Sequence, residues 1–599
     1  METVVSLFLT QAAEQKDKIA LKSKRAGIWE GSTWTEWESR ARAIAAELVG
    51  AGVNPGDRVA IFASTREEWV VADIATLLAG AVTVPIYQTL IAEQAAYILE
   101  DSGAKVLFVD DAAMLDKFAG GHMATLTKLA KIVLLDATKG APPGEVSAKV
   151  TSYREALAAG FARSRDEKRA VSERAAAVLP KDLATIIYTS GTTGPPKGVM
   201  LTHANICFET DVVLSLAGLT KSDENLLFLP MAHIFAKVLV MGAVRAGYTT
   251  TFAESLVKAL DNAVETNPTF LGCVPRLYEK IFAVANEKAH AEGSVKAKVF
   301  DWAIDLGRKV ARLRERGEEP SGLLAVQYRY ADKLVLSRIR GRFGKRLRFA
   351  ISGGAPLAKE LAEWFHGAGV KILEAYGLTE TTGATNVNLP ARFRFGTVGP
   401  TLTGVEVKIA MDGEVLMRGP NIMQGYWNRE ADTKEVLEES GWFHSGDIGV
   451  FDTDGFLRIT DRKKDIIVTA GGKNVAPQNI ENLLKQSPWI SQAMVHGDKR
   501  PYLVALVTLN ADAMARFAAE TGRPNDVAAL ATDSEVRARV QLEMDSVNKR
   551  LSSYESIKKF LVLPRDFAVD TGELTPTLKV KRKIVTERYR RELDAMYEG

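Results

Sequence analysis

Helices and strands alternate along the first 110 residues, and this alternation restricts the fold more than any other feature of the chain. A helical period over 33–52 ends in glycine and is followed, after Pro55-Gly56, by the strand-like run RVAIFA. The run TREEWVVADIATLLAGA predicts a second helix with Thr65 as its N-cap, and VTVPIY predicts the next strand. A helix near 91–101 and a strand over 105–110 continue the pattern. We therefore expect an α/β fold with a largely parallel sheet.

The rest of the chain divides into three further regions. A second α/β block covers about 184–388, and short alternating strands with glycine-rich turns over 398–459 predict a small β-barrel-like part. Beyond Asp461 the composition shifts to that of a compact α+β unit. We expect a large N-terminal region of stacked α/β subdomains over 1–460 and a small C-terminal domain over 461–599.

Composition excludes several classes of function. The chain has 599 residues, a net charge of +3 and no apolar run near the ~20 residues that span a bilayer. The N-terminal apolar run is too short for a signal peptide and carries Glu2 where a basic region would stand. Cys207 and Cys273 form no metal-binding motif. We expect a cytoplasmic enzyme that does not bind nucleic acid.

A glycine-rich segment over 188–203, YTSGTTGPPKGVMLTH, predicts a polyphosphate site. Glycines let the backbone approach an anion, and hydroxyls and the Lys197 ammonium add donors. The spacing GxxGxxKG differs from the Walker A loop GxxxxGK[ST], and no Ser or Thr follows the lysine. The runs on both sides read as strands, so we expect a loop between two strands. An ordinary hairpin turn is the alternative interpretation.

A second unusual segment, at about 284–343, is helical and rich in basic residues. Ala331, Leu334, Val335 and Ile339 recur at i, i+3, i+4 and i+8, which predicts one apolar face. The basic residues are Arg308, Lys309, Arg312, Arg314, Arg316, Arg329, Lys333, Arg338, Arg340 and Arg342. They are interpreted either as a solvated helix face or as a docking surface for anionic lipid. The C-terminal stretch is basic as well.

Five further motifs follow the glycine-rich loop in a characteristic order. They are LPMAHIF at 229–235, SGGAPL at 352–357, YGLTETTG at 376–383, GWFHSGDIG at 441–449 with RITDRKKDIIVTAGGKNVAP at 458–477, and LTPTLKVKRK at 574–583. Together they resemble the adenylate-forming superfamily over nearly the whole chain, and most closely its bacterial long-chain fatty acid–CoA ligases. The resemblance implies that ATP and Mg²⁺ activate a fatty acid to acyl-AMP, which is then transferred to coenzyme A. It also implies that the C-terminal domain is mobile about a hinge near 461–466.

The resemblance assigns roles to individual residues. Lys579, Glu380 and Lys197 match catalytic positions, and Thr189 and Glu380 match positions that hold the metal. The nucleotide positions are Thr189, Ser190, Gly191, Thr192, Thr193, Gly194, Lys197, Gly353, Gly354, Ala355, Tyr376, Gly377, Thr379, Asp447 and Arg462. The coenzyme A loop comprises Gly471, Gly472, Lys473 and Asn474, and the acyl side His233 and Tyr278. The chain departs from the family at Leu578, where a glycine usually precedes the lysine.

Several alternatives stay open at this stage. A fatty acyl-AMP ligase would pass its adenylate to a carrier protein, but the stretch from Gly383 to Gly396 leaves no room for the insertion of such relatives. A ligase for another hydrophobic acid is a closer alternative. A non-catalytic lipid-binding protein is disfavoured by the presence of Lys197, Glu380, Asp447 and Lys579. Peripheral contact with the inner face of an anionic membrane is a hypothesis, and the oligomeric state is open, a homodimer included.

Overall fold

The computed structural model describes residues 2–189, 195–291, 293–575 and 578–598. Within these ranges the strands form two eight-stranded sheets and one four-stranded sheet, followed by a two-stranded and a three-stranded sheet near the C-terminus. The predicted fold class is confirmed: stacked α/β sheets, a half-barrel-like sheet and a smaller α+β unit follow one another along the chain.

The first eight-stranded sheet contains the alternating segments of the N-terminal part. Its strands in spatial order are Gly425–Tyr426, Lys197–Thr202, Leu183–Thr189, Val82–Ile86, Arg58–Phe62, Val106–Val109, Lys131–Leu134 and Val150–Ser152. The pairs from Leu183–Thr189 onward are parallel, whereas the first three strands are antiparallel. The predicted loop between two strands is confirmed, because Thr189 pairs with Lys197 across an antiparallel hairpin.

The second eight-stranded sheet is parallel except at its two edges. Its strands in spatial order are Gly383–Val387, Ile372–Leu378, Phe349–Ser352, Phe270–Cys273, Glu224–Leu227, Thr249–Phe252, Ile19–Arg25 and Ile28–Thr33. Only the outermost pair at each end is antiparallel. The central strands are buried along their whole length, as expected for a parallel sheet covered on both faces.

The four-stranded sheet and the C-terminal sheets are smaller. The four-stranded sheet is antiparallel throughout and consists of Glu406–Ile409, Glu414–Arg418, Phe443–Phe451 and Leu457–Arg462. The C-terminal strands are Ile467–Val468 paired with Asn474–Val475, and Ile490–His496, Leu503–Leu509 and Ile557–Leu563. The last pair is parallel, which the intervening helices permit.

Helices cover the sheets and connect their strands. The α-helices before residue 460 are Val4–Gln15, Trp34–Gly50, Glu67–Leu78, Ala92–Ser102, Ala112–Asp116, Met123–Thr127, Tyr153–Ala162, Arg165–Ala177, His203–Ala217, Ile234–Ala246, Ala259–Thr266, Pro275–Ala291, Ser294–Glu315, Gly322–Ala331, Ser337–Arg340, Lys359–Gly367 and Glu430–Val436. Those after it are Pro477–Leu484, Ala511–Thr521, Val527–Leu530, Ser534–Asn548, Arg582–Arg588 and Arg590–Ala595. A π-helical turn, Asp332–Leu336, interrupts the basic segment.

Two details of the sequence prediction are wrong. The second predicted helix begins at Glu67, and Thr65 does not cap it, because the Thr65 hydroxyl donates to the Leu229 carbonyl at 2.7 Å. Leu334 does not belong to the buried face of the basic segment and is 48% exposed. The π-turn that contains it advances each residue by less than the ~100° of an α-helix, which rotates Leu334 away from the core.

The C-terminal part has hydrophobic cores of its own. Both clusters there are built from residues at or beyond Ile467. Side-chain contacts with the preceding part include three arginines: Arg276 donates to Ser491 at 3.3 Å, Arg516 pairs with Glu287, and Arg550 pairs with Glu360 at 2.7 Å. Polar contacts of this kind are typical of interfaces between domains that move relative to one another.

Candidate active site

Lys197 is the first residue of the strand after the glycine-rich loop. Its ammonium pairs with Asp432 and lies 5.2 Å from the centre of the Tyr426 ring. The Thr189 hydroxyl, across the hairpin, faces the Lys197 carbonyl at 3.5 Å. The predicted phosphate contacts Ser190, Gly191, Thr192, Thr193 and Gly194 lie outside the described residues.

Glu380 lies on a 3₁₀ turn, Thr379–Thr381, between two antiparallel strands of the second sheet. The Tyr426 hydroxyl donates to its carboxylate at 2.9 Å. Burial raises the pKa of Glu380, an effect that this hydrogen bond opposes. Tyr426 therefore joins the predicted metal position to Lys197, and a positive charge at the site would stabilise the ionised carboxylate.

Asp447 is buried and anchors the part of the site predicted to bind ribose. It accepts a hydrogen bond from the Tyr376 hydroxyl at 2.7 Å, and the Arg462 guanidinium lies 3.2 Å away. Tyr376 and Gly377 are near the end of the strand Ile372–Leu378. A Cβ at Gly377 would lie 1.6 Å from the carbonyl oxygen of Gly383, so only glycine allows the two strands to approach so closely here.

The predicted adenine slot follows the strand Phe349–Ser352. Gly354 has a φ of +79°, which favours glycine, and both Gly354 and Ala355 are exposed. A Cβ at Gly353 would lie 3.5 Å from the Phe235 ring. The small residues leave open space on one side and an aromatic wall on the other.

Lys579 comes from the C-terminal domain and lies near these N-terminal charges. Burial and the positive charge of Arg462 lower its pKa to about 8, while Asp447 and Glu380 act in the opposite direction. The residue as a whole is nevertheless exposed, with more than one-third of its surface open to solvent. Its loop is closed by hydrogen bonds between Thr575 and Lys579 in both directions. Leu578, which replaces the usual glycine, has a φ of +61°.

The two predicted acyl residues lie in different surroundings. His233 caps the helix Ile234–Ala246 by accepting from the Phe235 amide at 3.1 Å. Burial and the nearby charge of Lys579 lower the pKa of His233 to about 4, so the imidazole is neutral. Tyr278 is fully buried, and its ring packs against Phe365 with centroids 5.4 Å apart.

The predicted coenzyme A loop forms an exposed turn on the C-terminal domain. Residues 471–474 connect the short strands Ile467–Val468 and Asn474–Val475. The turn is held within its own domain, since Thr469 donates to the Lys473 carbonyl and Ala470 to the Arg500 carbonyl. The structure thus brings Lys579 near Asp447, Glu380 and Arg462, whereas the hydrogen bonds named here for the coenzyme A loop stay within the C-terminal domain.

Sequence reasoning did not identify Tyr426 and Asp432. Both contact Lys197, although they are more than 200 positions away in the sequence. The only local signal for Tyr426 is the run QGYWN, in which Gly425 and Tyr426 form a strand of two residues. Their roles depend on the pairing of that strand with Lys197–Thr202.

Comparisons with known proteins identify the family of the chain. Residues 8–427 match the model of the AMP-binding enzyme family, and residues 464–599 match that of the AMP-binding enzyme C-terminal domain. The chain is 38% identical to the long-chain-fatty-acid–CoA ligase FadD15 of Mycobacterium bovis, covering 100% of this chain and 97% of the relative. It is 32% identical to the long-chain-fatty-acid–CoA ligase ACSBG2 of Rattus norvegicus, covering 100% and 93%.

A solved structure shows the same fold. The adenylation domain of a carboxylate reductase from Mycobacterium chelonae superposes with a TM-score of 0.74 at 24% identity, covering 100% of this chain and 91% of that one. The matched models span the strands and turns that carry Lys197 and Glu380 and the domain that carries Lys579, whereas Asp447 lies between the two matched ranges. The chain belongs to the AMP-binding enzyme family.

Proposed function

We propose that this chain is a long-chain fatty acid–CoA ligase that forms acyl-AMP and then acyl-CoA. The observation that carries the proposal is the position of Lys579, whose amine, on a separate domain, lies close enough to Glu380, Asp447 and Arg462 for their charges to act on it. The relatives named above are long-chain-fatty-acid–CoA ligases over the full length of this chain.

The first half-reaction joins two anions. A carboxylate oxygen of the acid bonds to the α-phosphorus, and the bond to the bridging oxygen breaks, so pyrophosphate leaves with that electron pair. Two unit charges 4 Å apart repel by ~1 kcal/mol in water and by ~4 kcal/mol at an effective dielectric constant of about 20. Lys197, Arg462 and Lys579 supply the opposing charge, with Lys579 placed to bridge the acid and the α-phosphate.

The residues present fit a magnesium ion. Glu380 offers a half-buried carboxylate and Thr189 a hydroxyl, both hard oxygen donors, and the nucleotide would add phosphate oxygens. In the described part of the chain no cluster of three or more His, Cys, Asp or Glu could hold a metal without such help. When bound, Mg²⁺ neutralises phosphate charge as pyrophosphate departs.

The acyl chain is proposed to run beside Phe235. A Cβ at Gly272 would lie 2.4 Å from Leu239 and 3.2 Å from the Phe235 ring, so glycine there keeps the wall apolar and close. The same ring borders Gly353 of the nucleotide slot. An apolar wall next to the nucleotide suits a chain whose carboxylate must reach the α-phosphate.

The second half-reaction requires a rearrangement. The thiol of coenzyme A loses its proton to solvent, its sulfur bonds to the acyl carbonyl carbon, and the bond from that carbon to the AMP oxygen breaks. A lysine that bridges the acid and the α-phosphate in the first step would stand in the way of this thiol. We place the hinge at 461–466, which begins with the last two residues of the strand Leu457–Arg462. Asp461 is buried there, and burial raises its pKa to about 6. Rotation would bring the exposed turn 471–474 toward the site.

The test is the release of pyrophosphate from ATP with palmitate, with and without coenzyme A. We expect palmitoyl-CoA when coenzyme A is present. Pyrophosphate release without any thioester would instead indicate an acyl-AMP ligase, and no release a non-catalytic protein. Lys579→Ala should slow adenylation by about 10²–10³ and spare thioester formation from supplied palmitoyl-AMP. A panel of acids from short to very long chains would then separate fatty acids from other hydrophobic acids.

We further propose that the enzyme acts in the cytoplasm and contacts the inner face of the membrane peripherally. Among the described residues no helix is long and apolar enough to cross a bilayer. A homodimer remains a hypothesis that light scattering after size-exclusion chromatography would decide.

A further inference from the structure

One helical face of the basic segment is exposed and apolar. Leu323, Val326, Tyr330 and Leu334 are 73%, 48%, 62% and 48% exposed. Their spacing of i, i+3, i+7 and i+11 places them along one side of the helix Gly322–Ala331 and the π-turn after it. Scattered exposed apolar residues are ordinary, but a continuous row of four marks a contact surface.

Cations accompany this row throughout. Arg329, Lys333, Arg338 and Arg342 are exposed, and none of them forms an ion pair with another described residue. Residues 322–342 contain five basic residues and one acidic residue, Asp332, which pairs with Arg340 at 2.8 Å. The face therefore presents apolar side chains between uncompensated positive charges.

The opposite side of the same segment packs into the core. Ala331, Leu336 and Ile339 are buried, and Tyr328 donates to the Gly367 carbonyl at 3.2 Å. The row is thus not a frayed helix end, because the backbone that carries it is anchored to the large domain. A rigid support fixes which side chains point outward.

We propose that Leu323, Val326, Tyr330 and Leu334, with the four cations beside them, form a docking face for an anionic phospholipid bilayer. Apolar side chains enter the interface while Lys and Arg contact lipid phosphates. The charge favours anionic lipid, since each cation near such a surface contributes to attraction. This inference rests on the proposed function, because a fatty acid delivered from a membrane gives the face its use.

The test compares vesicle binding after two exposed basic residues are removed from the docking face and after two are removed from elsewhere. In Arg329→Ala/Lys333→Ala the cations are removed from the face, and in the matched control Arg590→Ala/Arg591→Ala they are removed from the basic C-terminus. Each full-length protein is floated with vesicles of phosphatidylglycerol and phosphatidylcholine at low and high salt. Phosphatidylcholine vesicles alone serve as the reference, and thermal melting checks the fold.

We expect wild type and the control to bind the anionic vesicles at low salt, and Arg329→Ala/Lys333→Ala to bind about 30-fold more weakly. Tyr330→Ser/Leu334→Ser should also bind more weakly and leave less residual binding at high salt. Equal binding by all variants, loss only in the control, or no binding by wild type would overturn the proposal. The proposal would also be overturned if wild type binds no vesicles but forms a dimer that dissociates in Tyr330→Ser/Leu334→Ser.

Activity with detergent-dispersed palmitate separates this proposal from the proposed function. The face variants should form palmitoyl-CoA in detergent at the wild-type rate, because their side chains lie outside the site. Vesicle binding without any thioester formation by wild type would refute the function and keep the docking face. Thioester formation by wild type without vesicle binding would refute the docking face and keep the proposed function.

Discussion

At the residue scale, Lys579 lies among charges of both signs. Burial of the amine and the positive charge of Arg462 destabilise its protonated form, whereas Asp447 and Glu380 stabilise that form. The net effect lowers the pKa of Lys579 to about 8. A lysine with this pKa is still mostly protonated at neutral pH. A lysine proposed to bridge two anions would therefore lose much of its charge only slightly above neutral pH.

The first prediction concerns the pH dependence of adenylation. Because the protonated amine is the active form, kcat/KM for pyrophosphate release should fall as pH rises through about 8 in the free enzyme. Arg stays protonated, so Lys579→Arg should move this fall to higher pH even if its maximal rate is lower. An alkaline limb unchanged in Lys579→Arg would contradict the assignment.

The second prediction concerns Tyr426, which contacts both Lys197 and Glu380. Tyr426→Phe keeps the ring beside the lysine and removes the hydroxyl that donates to Glu380. A hydrogen bond to a charged group contributes about 1.5–3 kcal/mol, so kcat/KM for ATP should fall about 10- to 100-fold. The Mg²⁺ concentration for half-maximal rate should rise as well.

Tyr426→Leu provides the matched comparison, because it also removes the ring. We expect a further loss in affinity for ATP relative to Tyr426→Phe. If Phe and Leu variants behave alike and both match wild type, Tyr426 has only a structural role.

At the element scale, the loop that carries Lys579 depends on one buried carboxylate. Glu573 is fully buried and contacts Arg565, Arg588 and Thr571, each at 2.7 Å. Burial alone would raise its pKa, but these partners hold the pKa at about 2. Leu574 and Val580 then bridge across the base of the loop, so the position of the catalytic amine follows from an anchor several residues away.

The third prediction tests this anchor. Glu573→Gln should lower the free energy of unfolding of the C-terminal domain by about 3 kcal/mol at pH 7, since a pKa about 2.5 units below 4.5 corresponds to that energy. A lowered pKa gives stability above about pH 4.5 that is lost as pH falls toward 2. Denaturant titrations of both proteins from pH 7 to pH 3 should therefore show a narrowing difference. A difference independent of pH would refute the charge-based account.

Some elements of the fold follow from local sequence pattern, and others do not. The strands around 184–202 and the helix Trp34–Gly50 follow from local pattern, and Thr33 with Glu36 forms a capping box as their spacing allows. Thr65 had an equally good local pattern, but its hydroxyl is recruited by Leu229, 164 residues away. The motifs supply the candidate site residues, whereas the contact of Tyr426 with Glu380 depends on pairing between distant segments. A prediction from local sequence is wrong where a side chain, such as the Thr65 hydroxyl, bonds to a residue far away in the sequence instead of to its own helix.

At the scale of the whole molecule, salt bridges contribute to the contact between the two parts of the chain. Arg516 pairs with Glu287 and Arg550 with Glu360, and all four side chains are about one-third exposed or more. Exposed pairs contribute 0.2–1 kcal/mol each and weaken with salt. The arrangement that presents Lys579 is thus held by forces small enough for ligands to overcome.

The fourth prediction follows from these pairs. Arg516→Ala/Arg550→Ala should lower the rate of the adenylation half-reaction by about 2- to 30-fold. It should leave thioester formation from supplied palmitoyl-AMP unchanged or faster. Arg418→Ala, which removes a comparably exposed pair with Glu406 inside one sheet, serves as the control. Equal effects on both half-reactions would argue against separate domain positions.

The π-turn Asp332–Leu336 has a consequence for how the basic segment could have arisen. A π-turn holds one more residue than the α-helical turn it replaces, so it acts as a phase shift between the two halves of a helix. Before the shift Tyr330 faces outward, and after it Ile339 faces inward. Deleting one residue from the π-turn would rotate the second half of the helix relative to the first. The exposed row before the turn could then no longer face solvent while the residues after it face the core. An insertion of one amino acid therefore sets the angle between the exposed residues before the π-turn and the buried residues after it.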